Sequence, residues 1–213
     1  CLGLDGASRV VIDHCSFSWA TDENLGIKHA SDVTISWCYI AEGLKHGGHS
    51  SGHPNHSCGA LISYGADRVS LHHNYWAHNR GRNPALYGTA TTALIEAGDP
   101  VPKPSEFDLR NNLVYNWVRE GVSFGSGALV NIVSNIFVPG PSTPENMPGI
   151  RVLNDLDDGT RAFLADNRAP KPSGDDQWAM VHVGYPREGQ TLPFFGIFAE
   201  RYRADGPVNV LEI

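Results

Sequence analysis

Five segments of this chain superpose on one eight-residue template: VVIDHCSF from Val10, VTISWCYI from Val33, VSLHHNYW from Val69, FDLRNNLV from Phe107 and VNIVSNIF from Val130. The template is apolar at its first and third places, Cys or Asn at its sixth and apolar at its eighth. Ile12, Ile35, Leu71, Leu109 and Ile132 fill the third place; Phe17, Ile40, Trp76, Val114 and Phe137 fill the eighth. Alternation of period two over such short runs reads as β-strand with one face buried.

Successive segments start 23, 36, 38 and 23 residues apart. Two equal spacings and two longer by a loop describe a coil of constant circumference with insertions, in which each turn buries its apolar places against its neighbours. The fold expected is therefore all-β, a right-handed parallel β-helix. The 23 glycines and 14 prolines supply the turns such a coil needs. Residues 1–140 are expected to form the rungs and carry any cleft. Residues 141–213 lose the template and are expected to be an irregular extension on the coil, with LPFFGIFAERYR capping its open end. The first residues already follow a strand pattern, so the coil is expected to be truncated at its N-terminus.

The sixth place holds Cys15, Cys38, Asn74, Asn112 and Asn135. Rungs about 4.8 Å apart stack these side chains, which predicts an asparagine ladder at a sharp corner, Asn tolerating unusual backbone angles there. Cys15 and Cys38, one rung apart, suit either a disulfide or a stacked pair of free thiols.

A net charge of −7 offers no basic stripe for nucleic acid, and no apolar run approaches the ~20 residues of a membrane span. The four cysteines lack CxxC spacing, which argues against a zinc or redox motif. One inserted loop, EGLKHGGHSSGHPNHSCG, carries His46, His49, His53 and His56. Spacings of three, four and three with no carboxylate among them favour an exposed loop over a groove rather than a metal site.

The stretch HHNYWAHNRGRNP, from His72 to Pro84, joins a rung to an arginine beside Asn-Pro. Taken with VVIDHCSFSW, DENLGIKHASDVTISWCYIAEGLK and VSLHHNYW in that order, it resembles the pectate lyase superfamily of polysaccharide lyases over residues 2 to 140. The resemblance implies that Arg82 is the catalytic arginine, that Lys45 binds substrate, and that Asp13 and Asp22 ligate calcium. Two departures stand out. The family's further aspartate, four residues after Asp22, is Gly26 here, so either Glu23 substitutes as a metal ligand or calcium is held weakly and mostly through the substrate. Its second arginine, five residues past the catalytic one, is Tyr87, with Arg80 able to supply the charge from the other side. Tyr87, Arg80 and His72 complete the expected substrate-binding set.

These residue types suit β-elimination from a 1,4-linked uronate. A Ca2+ ion among carboxylates and the sugar's own carboxylate would acidify the neighbouring ring proton. Arginine is an unusual base because its guanidinium is normally always protonated, and that role comes from the resemblance alone. The expectation is a secreted (extracellular or periplasmic) monomer acting on acidic polysaccharide such as polygalacturonate, without nucleic-acid or membrane partners. Two alternatives remain: a β-helix that binds polysaccharide or acts as an adhesin without turnover, and a glycoside hydrolase, which would need paired carboxylates facing one bond.

Overall fold

A computed structural model describes residues 1–48, 56–89, 103–152, 159–169 and 176–184. Eighteen strands occur among them, and all pair in parallel in three sheets. The first sheet stacks β1 (Leu2–Asp5), β4 (Glu23–Lys28), β7 (Cys58–Ser63), β10 (Ala85–Tyr87), β13 (Val122–Gly125), β16 (Ile150–Val152) and β18 (Val181–Val183). The second stacks β2 (Ser8–Asp13), β5 (Ser31–Ser36), β8 (Asp67–His72), β11 (Ser105–Arg110), β14 (Ala128–Val133) and β17 (Arg161–Ala165). The third stacks β3 (Ser16–Ser18), β6 (Tyr39–Ala41), β9 (Tyr75–Ala77), β12 (Leu113–Tyr115) and β15 (Ile136–Val138). The chain visits the sheets in rotation, one strand each per rung. This is a right-handed parallel β-helix, the hand that right-twisted strands favour in parallel crossovers.

The template's apolar places form continuous columns. Ile12, Ile35, Leu71, Leu109, Ile132 and Leu164 lie in register along the second sheet. Phe17, Ile40, Trp76, Val114 and Phe137 do so along the third. A further column, Leu4, Ile27, Ile62, Leu86, Phe124 and Val152, comes from the first sheet, whose strands share no template with the others. Most of these side chains are fully buried, each contributing roughly 1.5–3 kcal/mol relative to exposure.

The asparagine ladder exists and runs one rung further, to Asn167. Asn74 Oδ1 accepts the Cys38 N–H at 2.9 Å, Asn112 Oδ1 that of Asn74 at 2.9 Å, Asn135 Oδ1 that of Asn112 at 2.9 Å and Asn167 Oδ1 that of Asn135 at 3.0 Å. Each amide also donates back to a carbonyl of the preceding rung: Ile35, Leu71, Leu109 and Ile132. Backbone strain at this corner is carried by the residue before the ladder. His14, Trp37, His73, Asn111, Ser134 and Asp166 all have φ between 51° and 57°. The asparagine is there to satisfy buried backbone groups, and the left-handed residue makes the turn. Cys15 and Cys38 are free thiols, with the Cys15 N–H on the Cys38 sulfur at 3.4 Å.

The coil does not stop near residue 140: β16, β17 and β18 join the same sheets as the rungs before them. The expected LPFFGIFAERYR cap lies outside the described residues. Of the two insertions, residues 42–57 connect the third sheet to the first, and residues 88–104 connect the first to the second.

Candidate active site

Where the chain leaves the third sheet to begin the next rung, its connections differ in length and sequence. These are residues 19–22, 42–57, 78–84, 116–121 and 139–149. Buried amides support them from below. Asn24 Nδ2 donates to the Ala41 carbonyl at 3.0 Å and to Asn79 Oδ1 at 3.2 Å. Asn79 Nδ2 donates to the Ile40 carbonyl and to Asn83 Oδ1, each at 2.9 Å.

Arg82 stands on this platform with its backbone pinned from both sides. Its carbonyl accepts the Ala60 N–H at 2.8 Å, and its own N–H donates to Glu120 Oε1 at 3.3 Å. Two glycines permit that approach: a Cβ on Gly59 would lie 2.6 Å from the Arg82 oxygen, and one on Gly81 2.6 Å from Glu120 Oε1. Arg82 itself is left-handed, at φ 56°, and the following Asn83–Pro84 bond is cis.

The largely buried Arg82 guanidinium pairs through Nη1 with Glu23. Glu23 lies across the first sheet from Cys58, and Cys58 bridges to Gly81, so the three share one edge of the coil. Burial, with Asp22 alongside, raises the Glu23 carboxyl above its usual range despite the pull of Arg82. Burial works to strip the proton from Arg82, but the acidic groups around it, the paired Glu23 carboxylate among them, hold it above the ordinary arginine value. Burial pushes the Cys58 thiol up to about 11, so it is a neutral wall residue. Arg82 Nε is buried without a partner among the described residues. A donor left so costs roughly 1–3 kcal/mol unless an acceptor arrives.

The expected site residues divide into two groups. Asp22, Glu23, Lys45, Arg80 and Arg82 all come to this corner, and Tyr87 on β10 is close enough to Arg82 to act on its charge. Asp22 Oδ1 meets His56 Nδ1 at 2.5 Å. Lys45 is exposed, one residue past Leu44, whose N–H donates to the Ala20 carbonyl at 2.8 Å. The Tyr87 hydroxyl is 3.1 Å from Ser123 Oγ.

Asp13 and His72 do not join them. Asp13 ends β2 in the second sheet, so a corner and all of β3 separate it from Asp22. Its contacts are the Ser36 hydroxyl and His14, each at 2.5 Å, and these hold its carboxyl below the usual range. His72 lies in the same second-sheet row, with Nδ1 3.0 Å from that of His73. Strand register assigns both to that face; short sequence motifs do not reveal which sheet they end on.

A calcium site was expected from Asp13, Asp22 and Glu23. Among the described residues no three His, Cys, Asp or Glu side chains converge as metal ligands. Asp22 and Glu23 are nonetheless adjacent carboxyls, and Asp22 disfavours the charge on Glu23. This is the donor chemistry a hard cation takes, supplied by fewer groups than the six to eight oxygens calcium prefers. His49 and His53 lie outside the described residues.

The sequence reading missed Glu120 and Arg119. Glu120 is fully buried and accepts from Arg119 Nε at 2.7 Å, Arg119 Nη2 at 2.9 Å and Arg151 Nη1 at 3.5 Å, besides the Arg82 N–H. The pair sits outside every repeated segment, and their neighbours in space are Arg80 and Arg82, nearly 40 residues earlier. Nothing local in WVREGV signals that.

Fold and corner together define a parallel β-helix with an arginine–carboxylate cluster along one edge. No family model matches the chain. The chain is similar to proteins named probable pectate lyase C. That of Aspergillus terreus is 36% identical over 141 residues, covering 64% of this chain and 27% of the relative. That of Neosartorya fischeri is 33% identical over 147 residues, covering 67% and 29%. That of Emericella nidulans is 32% identical over 147 residues, covering 66% and 28%. Over the matched stretch the chain belongs to the pectate lyase superfamily. It spans a little over a quarter of the length of these relatives.

Proposed function

We propose that this corner is the active site of a secreted, monomeric polysaccharide lyase that cleaves polygalacturonate by calcium-assisted β-elimination. The observation that carries the reading is the half-buried Arg82, with its buried, unpartnered Nε–H, beside the neighbouring carboxyls of Asp22 and Glu23. The relatives named probable pectate lyase C support the same reaction class.

A calcium ion, when bound, would withdraw charge from the sugar carboxylate and make the proton on the adjacent ring carbon more acidic. Asp22 and Glu23 would hold it, the remaining oxygens coming from water and the uronate. Lys45 binds the polymer's carboxylates from the exposed loop, and Tyr87 with Arg80 lines the path of the chain. Arg82, in its neutral form, removes the ring proton, and the electron pair forms the C4–C5 double bond as the C4–oxygen bond breaks, the leaving oxygen taking a proton from water and the other fragment ending in an unsaturated uronide.

In the resting protein Glu23 keeps the guanidinium protonated, and a protonated guanidinium is no base. Proton removal therefore follows release of Arg82 from Glu23, with Glu23 turned toward Asp22 as a cation ligand. A buried cation separated from its counter-ion gives up its proton more readily.

The test is incubation with polygalacturonate, with and without calcium, following ultraviolet absorbance of the unsaturated product. A rise only with calcium is the expected result. Reducing ends without that absorbance would indicate hydrolysis. Neither signal, with retention on a polygalacturonate gel, would indicate a binding β-helix, the reading that the missing carboxylate at Gly26 favours.

A further inference from the structure

The corner holds a second arginine that no motif announces. Arg119 follows β12, on the connection one rung along from Arg80. Its backbone N–H donates to the Arg80 carbonyl at 2.7 Å, as does that of Val118 at 2.9 Å. Glu120 braces its guanidinium through Nε at 2.7 Å and Nη2 at 2.9 Å. The oxygen that receives Nη2, Glu120 Oε1, also receives the Arg82 N–H at 3.3 Å. A single buried carboxylate therefore sets the spacing of both arginines. The Arg119 side chain remains 26% exposed while Glu120 is wholly buried. Its positive charge reaches Arg82 and Cys58 directly.

We propose that Arg119, braced by Glu120, is a substrate-binding residue that receives a carboxylate of an acidic polysaccharide beside Arg82. This deepens the lyase reading and rests on it. A guanidinium fork recognises a carboxylate in a defined plane, and the fork here is oriented before substrate arrives, so little side-chain entropy is lost on binding. The acidic chain as a whole, at net charge −7, repels an anionic polymer. Local cations at the cleft must therefore offset that field. Arg119 is held by a buried carboxylate, whereas Lys45 projects from an exposed loop.

The experiment compares wild type with Arg119→Gln and Arg119→Lys on polygalacturonate, at low and high salt, with thermal melts to establish that each variant folds. For Arg119→Gln the KM is expected to rise about tenfold with kcat changed little, the difference shrinking at high salt. Arg119→Lys, which keeps a cation against Glu120 but loses the fork, should fall between. A folded variant with the wild-type KM at low salt overturns the inference and leaves the lyase reading intact. Retardation in a polygalacturonate gel separates the two claims. Wild type that is retarded but inactive removes the lyase reading, and loss of retardation in Arg119→Gln then still supports the binding role. Wild type neither retarded nor active removes both.

Discussion

Two corners of this β-helix handle the same problem in opposite ways. Between the second and third sheets, every rung turns with one left-handed residue followed by a ladder residue, from Cys15 to Asn167. Between the third sheet and the first, the connections change length at each rung and carry Asp22, Lys45, Arg82 and Glu120 on successive turns of one edge, with Arg82 hydrogen-bonded to Glu120. The first corner is uniform because its work is to satisfy the same backbone groups at each level. The second is irregular, and irregular connections on a rigid scaffold are where binding and catalytic groups gather. Repetition in this molecule marks structure, and departures from it mark chemistry.

The largest effect expected at the irregular corner comes from Arg82→Lys. It keeps a cation near Glu23 but removes the proposed base, and turnover of polygalacturonate should fall by about 10²–10⁴-fold. The melting curve should stay close to wild type. Near-normal activity would take Arg82 out of the catalytic role and remove the functional half of the contrast.

Asn112→Ala is the matching test at the uniform corner. It strands the Asn74 N–H and the Leu71 carbonyl, costing about 3 kcal/mol in urea unfolding, while the KM of the protein that remains folded should not change. A change in KM with little loss of stability would mean that the ladder reaches the cleft.

Gly26→Asp returns a carboxylate four residues past Asp22. A Cβ at Gly26 meets nothing within 4 Å and the backbone needs no glycine there, so the fold should accept it. Calcium affinity by titration calorimetry should rise about tenfold, because charge count tunes such sites. No gain would show that Asp22 and Glu23 are not cation ligands.

The smallest effect concerns the second-sheet face. Burial, with His73 beside it, holds the His72 imidazole below its ordinary value. The unfolded chain therefore binds the extra proton more readily, and His72 lowers stability as pH falls below about 6.5. His72→Asn should flatten that slope by less than about 1 kcal/mol without altering substrate binding. A raised KM in that variant would connect the second-sheet row with the cleft after all.

Much of this was legible in the residues themselves. Period-two alternation and the recurring template identified the coil, because every rung must bury the same places. The motif around Arg82 and the ladder of Asn74, Asn112 and Asn135 could be read because each occupies a few consecutive or equally spaced positions. The rest came from stacking. The first-sheet strands escaped notice because ALY and VSFG are too short and too varied to repeat. Asp13 and Asp22, nine residues apart, lie on different sides of β3, one at the end of the second sheet and the other at the corner before the first, while Arg82 and Glu120, 38 apart, are joined by a hydrogen bond. Only tertiary structure decides such proximities, because in a solenoid the nearest neighbour in space is one full turn away along the chain. The inserted loops change how many residues that turn contains. Local chemistry was written in the sequence; which chemistries meet depended on how the coil closed.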